Sequence, residues 1–450
     1  MSSGDQYTDL GIRLRPSRDD VERSFLGIVR SPLIENVIER SAMNSERVSE
    51  NTARISKSTE RPKSLELFAG AGGMALGLHF AGFEHTALVE IEAKACTTLR
   101  HNATLWQMRN GLLPLWKPTA VHQIDVCQLL DNASLHQGTL DLIAGGPPCQ
   151  PFSLGGVHAG MNDSRNMFPA ALEIVRGLQP KFVLFENVAG LLRSGFLPYF
   201  DYVEMQLRDP LCVPKKGEEW QRHRDRLTRR KPQSSSSSYL VTRQLVNTAD
   251  FGIPQLRKRV LLMAIRADLA DSPIPLLKTT HSEAALRAEQ WGSNNYWERH
   301  GLTPPTVSSE REHRANHKKH RLTELPWRTV RDAIAGLPEP MNGIESPGVS
   351  NHVGVPGARC YPGHTGSEID WPSKTIKAGV HGVCGGEAMI RYSDGRLRYM
   401  TVREAARIQT FPDDYEFVGA RSHAMRHIGN AVPVELARAV GRHIRAHAEW

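Results

Sequence analysis

Residues 64 to 75 read Ser-Leu-Glu-Leu-Phe-Ala-Gly-Ala-Gly-Gly-Met-Ala. The apolar run Ser64 to Phe68 enters the glycine-rich turn Phe68-Ala69-Gly70-Ala71-Gly72-Gly73, where backbone without Cβ atoms lets a ligand approach closely. Further apolar runs follow at His85 to Glu90, Asp141 to Ala144, Lys181 to Phe185, Tyr239 to Val246 and Arg259 to Ile265, with helical patterns among them. Strands alternating with helices predict a doubly wound, Rossmann-like α/β sheet. Such sheets bind ligands at the carboxyl ends of their strands.

Two segments bring chemistry to that edge. Gly70-x-Gly72-x-x-Ala75, with Glu90 20 residues beyond Gly70 at the end of the next strand, satisfies the dinucleotide pattern in which a carboxylate accepts from ribose hydroxyls. NAD and S-adenosylmethionine are not separable on this loop alone. Asp125, in Ile124-Asp125-Val126 at the expected third strand end, is a candidate for an adenine amino group, and equally a turn or cap residue. Residues 145 to 153 read Gly-Gly-Pro-Pro-Cys-Gln-Pro-Phe-Ser, so Cys149 sits in a stiff backbone that a merely buried thiol does not require. We read Cys149 as a positioned nucleophile, delivered to the sheet edge by the strand at Asp141.

The composition frames these motifs. At 450 residues, 40% hydrophobic and 23% charged, the chain has an ordinary globular composition with room for two or three domains. No apolar stretch approaches the roughly 20 residues needed to span a bilayer, and the polar start lacks a signal pattern, so a cytoplasmic location is expected. Six scattered cysteines without a Cys-x-x-Cys pair argue against structural zinc and disulfide scaffolding. The formal charge of +8 is compatible with a polyanionic partner.

Along the chain, residues 1–60 read as an extension of unknown role and 61–265 as the catalytic domain. Lys215 to Ser238 carries eight Lys/Arg against three acids and a serine run, which predicts a solvated, mobile insertion. Residues 266–398, rich in Pro, Gly, His and Arg, read as a separate irregular domain. Residues 399–450 return to the catalytic domain through a helix after Pro433.

Taken in order, these segments resemble the DNA cytosine-5 methyltransferase family of bacterial type, from about Lys63 to the C-terminus. Leu67 to Gly73 looks like its first motif, Gly146 to Ser153 its catalytic loop, and Glu186-Asn187-Val188 follows at the next strand end. Gln255-Leu256-Arg257-Lys258-Arg259 is similar to its Gln-x-Arg-x-Arg motif, Arg403 to Gln409 with Phe411-Pro412 to its ninth, and Gly429 to Pro433 to its tenth. The resemblance implies transfer of a methyl group from S-adenosylmethionine, without a metal, to C5 of a cytosine flipped out of double-stranded DNA. It implies thiolate attack by Cys149, with Gln150 beside it, a proton from Glu186 to N3, and guanidinium support from Arg257 and Arg259. For the cofactor it points to Phe68, Gly70, Gly72, Glu90, Ile91, Asp125, Val126, Pro148, Asn430 and Val432. Ile91 stands where several members carry an aromatic, so aliphatic packing against adenine is expected.

For DNA the resemblance points to Ser153, to Arg165 at the end of the loop that closes over the duplex, and to Lys374, Thr375 and His381. These last belong to Pro372 to Gly379 and His381-Gly382, similar to the family's target-recognition core. A restriction endonuclease acting separately is a possible partner. An NAD-dependent oxidoreductase leaves Pro-Pro-Cys-Gln, Glu-Asn-Val and Gly-Asn-Ala-Val-Pro without a task. A zinc deaminase would need its Pro-Cys-x-x-Cys downstream of His281-Ser282-Glu283, and Phe152 holds the second cysteine's place. His313, His317 and His320 read as a solvated basic face. Methylation of transfer RNA is the nearest rival in chemistry.

Overall fold

Strands that are buried on both faces read as nearly continuous apolar runs, and the centre of this chain is built from them. The structure, a computed structural model, describes residues 61–110, 115–131, 137–148, 166–230, 235–305, 323–362, 364–378 and 388–447. They fall within one compact unit, Arg61–Trp450. Its first half alternates β1 (Lys63–Leu67), α1 (Gly73–Phe80), β2 (Glu84–Glu90), α2 (Ala93–Asn110), β3 (Val121–Gln123), β4 (Leu142–Gly145), α3 (Phe168–Leu178), β5 (Phe182–Val188), α4 (Leu197–Arg208) and α5 (Trp220–Arg229). The strands β6 (Tyr239–Asn247), β7 (Gln255–Leu256) and β8 (Lys258–Arg266) follow.

Seven strands form one sheet in the order β3-β2-β1-β4-β5-β8-β6. The pairs from β3 to β5 are parallel, whereas β8 runs antiparallel to both β5 and β6. The expected alternation of strand and helix holds as far as β6 and then stops: a 3-10 turn and β7 link β6 to β8, too little chain for a crossover helix, so β8 returns antiparallel. Expected strand starts agree within a residue, while β5 runs three residues past the expected Phe185 to Val188 and β3 ends at Gln123. Asp125 lies beyond it in a turn.

The insertion corrects the composition-based reading. Instead of a solvated loop over Lys215 to Ser238, the chain folds α5 across Trp220–Arg229, with His223 and Leu227 buried and Trp220 packed edge-on to Tyr199. Three well-placed anchoring side chains outweigh the polar composition, because a helix needs only one face to pack. Residues 1–60 and 306–322, the latter with the three histidines, lie outside the described residues.

Beyond β8 come α6 (Glu283–Trp291), α7 (Asn295–Arg299), α8 (Val330–Ile334), α9 (Val402–Ile408), α10 (Arg421–Asn430) and α11 (Val434–Arg445). Thr329 and Thr401 start α8 and α9 with reciprocal capping boxes to Asp332 and Glu404. The apolar stripe of α11, Leu436, Ala437, Val440 and Ile444, lies against α1. Contact there is so close that a Cβ on Gly77 would stand 2.4 Å from the Val434 carbonyl. A second core joins Ala69, Leu76 and Leu99 to Ile376, Ile390, Ile408 and Met425, so residues far apart in sequence share one apolar interior. Among the described residues no helix is long and apolar enough to cross a membrane.

Candidate active site

Because β1 to β5 are parallel and β8 is antiparallel, the carboxyl ends of the first five and the start of β8 share one edge of the sheet. That edge holds Phe68, Glu90, Pro148, Glu186 and Arg259. Strand order reverses beside β1, with β2 on one side and β4 on the other, which opens a crevice between the turns that follow β1 and β4.

The turn after β1 is strained and tied down. Phe68, Gly70 and Gly72 all have left-handed backbones, with φ of 57°, 54° and 85°. A phenylalanine rarely adopts this conformation outside sites where function or packing demands it. Glu90 holds the turn from β2: its Oε2 accepts from the Gly70 N–H at 2.8 Å, and its Oε1 accepts from the Glu92 N–H at 2.8 Å. From behind, the Tyr415 hydroxyl donates to the Ala71 carbonyl at 2.7 Å. Ile91 projects beside Glu90 with 65% of its surface exposed, and such an apolar side chain suits a flat ring. Carboxylate, exposed aliphatic and glycine backbone together fit the ribose and adenine of a nucleoside cofactor.

Across the crevice, β5 and β8 place Val188 opposite Arg259 and Glu186 opposite Leu261, so Glu186 and Arg259 are diagonal neighbours on one face. Arg259 Nε reaches Glu186 Oε1 at 2.7 Å in a largely buried ion pair. Burial lowers the Arg259 pKa and the Glu186 charge opposes the shift. The other carboxylate oxygen, Oε2, faces Gly146: a Cβ there would stand 3.6 Å from it. Asn187, on the other face of β5, donates from Nδ2 to the Pro147 carbonyl at 2.8 Å. The Met167 N–H donates to the Pro148 carbonyl at 3.3 Å, which ties together the two ends of the segment between them. Cys149, Gln150, Ser153 and Arg165 lie outside the described residues.

Arg257 goes elsewhere. Only 2% exposed, it donates to the carbonyls of Ile376 (3.3 Å), Gly429 (3.0 Å) and Ala431 (3.2 Å). Burial, reinforced by Arg259, presses its pKa well below the ordinary value. Gln255 and Gln409 complete this knot. Gln255 accepts from the Ile376 N–H at 3.0 Å and donates to Gln409 Oε1 at 2.9 Å, while Gln409 Nε2 donates to the Ile428 carbonyl at 2.6 Å.

The remaining expected residues divide. Asp125 Oδ1 accepts from the Cys127 N–H at 2.9 Å, so that oxygen works as a cap, and Val126 is buried in the core against which Phe68 packs. Asn430 is exposed at the end of α10, and the Val432 carbonyl closes on the start of α1, 2.4 Å from where a Gly73 Cβ would stand. Ser373–Lys374 pairs with β7 as a parallel strand, which carries the expected recognition segment to the Gln-x-Arg-x-Arg run. There Lys374 Nζ donates to Thr365 Oγ1 at 2.6 Å and Thr375 Oγ1 to the Leu256 carbonyl at 2.7 Å. His381 lies outside the described residues. Reading the sequence missed Asn187, Tyr415 and Gln409 as supports. Gln409 ends a motif already picked out, whereas Tyr415 carries no local signal. Among the described residues no cluster of metal-ligating side chains occurs.

Comparison with known proteins agrees with this geometry. The C-5 cytosine-specific DNA methylase family matches residues 63–209 and 221–446. The type II methyltransferase M.NgoMIV of Neisseria gonorrhoeae is 31% identical over 391 residues, 85% of this chain and 96% of that protein. The type II methyltransferase M.Eco47II of Escherichia coli is 30% identical over 394 residues, 84% of this chain and 78% of that protein. A solved structure from E. coli, described as a prophage-encoded DNA modification methyltransferase, shares the fold with a TM-score of 0.51 at 19% identity, covering 86% of this chain and 99% of its own. From the glycine turn after β1 to the helix that packs against it, the chain belongs to the C-5 cytosine-specific DNA methylase family and is a DNA cytosine-5 methyltransferase.

Proposed function

We propose that Cys149, Glu186 and Arg259 form the reacting centre for methylation of a flipped cytosine within a specific double-stranded sequence. The observation that carries this reading is the Glu186–Arg259 pair standing over Gly146, with Asn187 clamping the prolines before Cys149. C5 of cytosine is a poor nucleophile until something adds to the ring. The Cys149 thiolate adds to C6 while Glu186 delivers a proton to N3, which leaves electron density at C5. Arg259 holds the Glu186 carboxylate in place and keeps a donor free for the cytosine O2, while Arg257 orders the surrounding backbone. After transfer, loss of the C5 proton lets Cys149 leave.

S-adenosylmethionine supplies the electrophilic methyl group when bound in the crevice between the β1 turn and Pro148. Glu90 is placed to accept from its ribose and Ile91 to cover its adenine, and no metal takes part. Residues 266–398 act as the target-recognition domain, with Lys374, Thr375 and His381 as its candidate DNA contacts. The relatives' type II names extend the reading to a restriction-modification system, with an endonuclease of the same specificity acting separately in a bacterial cytoplasm.

Base-resolution methylation sequencing of a plasmid from cells expressing the protein, beside a Cys149→Ala control, tests the reading. Protection of one cytosine in a short recurring sequence, absent in the control, is the expected result. Retained protection in Cys149→Ala would remove the thiol from the mechanism. Soluble protein that binds S-adenosylmethionine but protects no DNA cytosine would move the substrate to RNA.

A further inference from the structure

The family match breaks off at residue 209 and resumes at 221. The residues between the two matched segments, 210–220, lead into α5. His223, fully buried, accepts from the Tyr202 hydroxyl at 2.7 Å and donates to the Cys212 carbonyl at 2.8 Å. Arg226 is held by Glu218 at 2.7 Å and by the Val213 carbonyl at 2.6 Å. Arg230 meets Asp209 at 3.1 Å. These ties fix α5 and the strap before it against α4.

The way the charges are distributed is informative. The acids Glu218, Asp209 and Asp225 each meet an arginine of α5 or its end. The Lys215 backbone N–H donates to Glu218 Oε2 at 2.8 Å, but the exposed side-chain cations of Lys215, Lys216, Arg222 and Arg229 pair with no carboxylate among the described residues, and Glu219 is the one acid of 215–230 without a cationic partner there. Arg222 and Arg229 lie seven residues apart on one face, about 10 Å along the helix, roughly three base steps of a DNA strand. The location is equally specific. Trp220 packs on Tyr199 in the first turn of α4, just beyond the carboxyl end of β5, and Asn166 Nδ2 donates to the Tyr199 hydroxyl at 2.5 Å. The helix therefore begins beside the point where the chain returns from the catalytic segment.

We propose that Lys215, Lys216, Arg222 and Arg229 form a ridge that binds the phosphate backbone of duplex DNA flanking the target site. This rests on the DNA reading above and goes beyond it, since the ridge lies outside the Cys149 crevice and the recognition segment. It reads no bases. It adds sequence-independent affinity through charge pairing with phosphates.

The test compares wild type with the variant carrying Lys215→Gln, Lys216→Gln, Arg222→Gln and Arg229→Gln. The slope of log affinity against log salt is measured by fluorescence anisotropy on a 30-base-pair duplex of mixed sequence. Each phosphate contact contributes about 0.9 to the slope, so a fall of about 2 to 4 is expected, with weaker binding near 150 mM salt and plasmid methylation retained at low salt. If the four-site variant fails to fold, the pair Lys215→Gln/Lys216→Gln, which lies ahead of the helix, is expected to lower the slope by about 1 to 2. An unchanged slope in a folded variant overturns the proposal. Wild type that methylates no plasmid DNA would instead undo the underlying reading, so the two failures are distinguishable.

Discussion

Arg257 and Arg259 stand two residues apart in one run of sequence and carry the same group, yet their surroundings have almost nothing in common. Arg259 lies on β8 at the rim of the crevice and meets a carboxylate, Glu186. Arg257 lies in the break between β7 and β8, wholly interior, and meets only carbonyl oxygens from two distant segments. A carboxylate partner at a rim can exchange for substrate contacts, whereas carbonyls in a sealed interior cannot. The first environment suits chemistry and the second suits architecture, and the difference arises because the strand changes neighbours at residue 257.

Replacing Arg257 should therefore do the most damage to folding. Arg257→Met orphans the carbonyls of Ile376 and Gly429, while Ala431 keeps a donor in Gln409 Nε2. Two unsatisfied buried carbonyls and a poorly filled space cost about 3–5 kcal/mol, read as a lower urea midpoint. A midpoint within experimental error of wild type would show that the knot is dispensable.

Arg259→Lys probes the other half of the contrast. It keeps the charge beside Glu186 but loses the planar fork, so stability should move by about 1 kcal/mol or less. Turnover should fall by about 10²- to 10³-fold, in the range for removing one positioned donor. Steady-state methylation under saturating S-adenosylmethionine decides it, and a large drop in stability with intact turnover would reverse the roles of the two arginines.

The same contrast marks how far the sequence was readable. Strands β1, β2, β4, β5, β6 and β8 are apolar runs whose burial is written in their composition, and they were placed closely. Local patterns also put Glu90, Pro148 and Glu186 at one sheet edge. What local patterns do not carry is the partner of a polar side chain. Nothing near Arg257 announces that it will meet residues 376, 429 and 431, and nothing near Tyr415 points to Ala71. The helix at Trp220–Arg229 was missed for a related reason, since three anchors are easily outnumbered by charges.

An imidazole offers the interior a choice that a guanidinium does not, because it can give up its proton. His85 on β2 is buried, with Nε2 donating to the Ala75 carbonyl at 2.7 Å and Nδ1 facing Ser64 Oγ at 3.0 Å. Burial lowers its pKa to about 4. The unfolded chain takes up that proton near pH 6.5 and the folded chain does not until about pH 4. Stability is therefore intact above pH 6.5 and declines as pH falls through that window, by roughly 3 kcal/mol at its lower end. Urea titrations from pH 7.5 to 4.5 should show this slope, and His85→Gln should make it shallower, leaving the part due to His79, whose pKa burial lowers to about 3. An equal slope in both proteins would place the proton uptake elsewhere.

The smallest effect belongs to Ile91, where the contrast between rim and interior reduces to one exposed side chain. Being 65% exposed, it contributes little to the fold, so its substitution isolates ligand contact from stability. Ile91→Ala should leave the unfolding midpoint unchanged and weaken S-adenosylhomocysteine binding by about 3- to 10-fold in calorimetry, the scale of a partly covered aliphatic side chain. Ile91→Phe should recover or exceed wild-type affinity, because a ring stacked on adenine adds about 0.5–1.5 kcal/mol beyond the area it covers. If neither variant changes the affinity, adenine does not rest on this residue and Glu90 alone anchors the nucleoside from β2. If alanine weakens binding and phenylalanine restores it, the rim tolerates exchange of contacts that the interior around Arg257 does not.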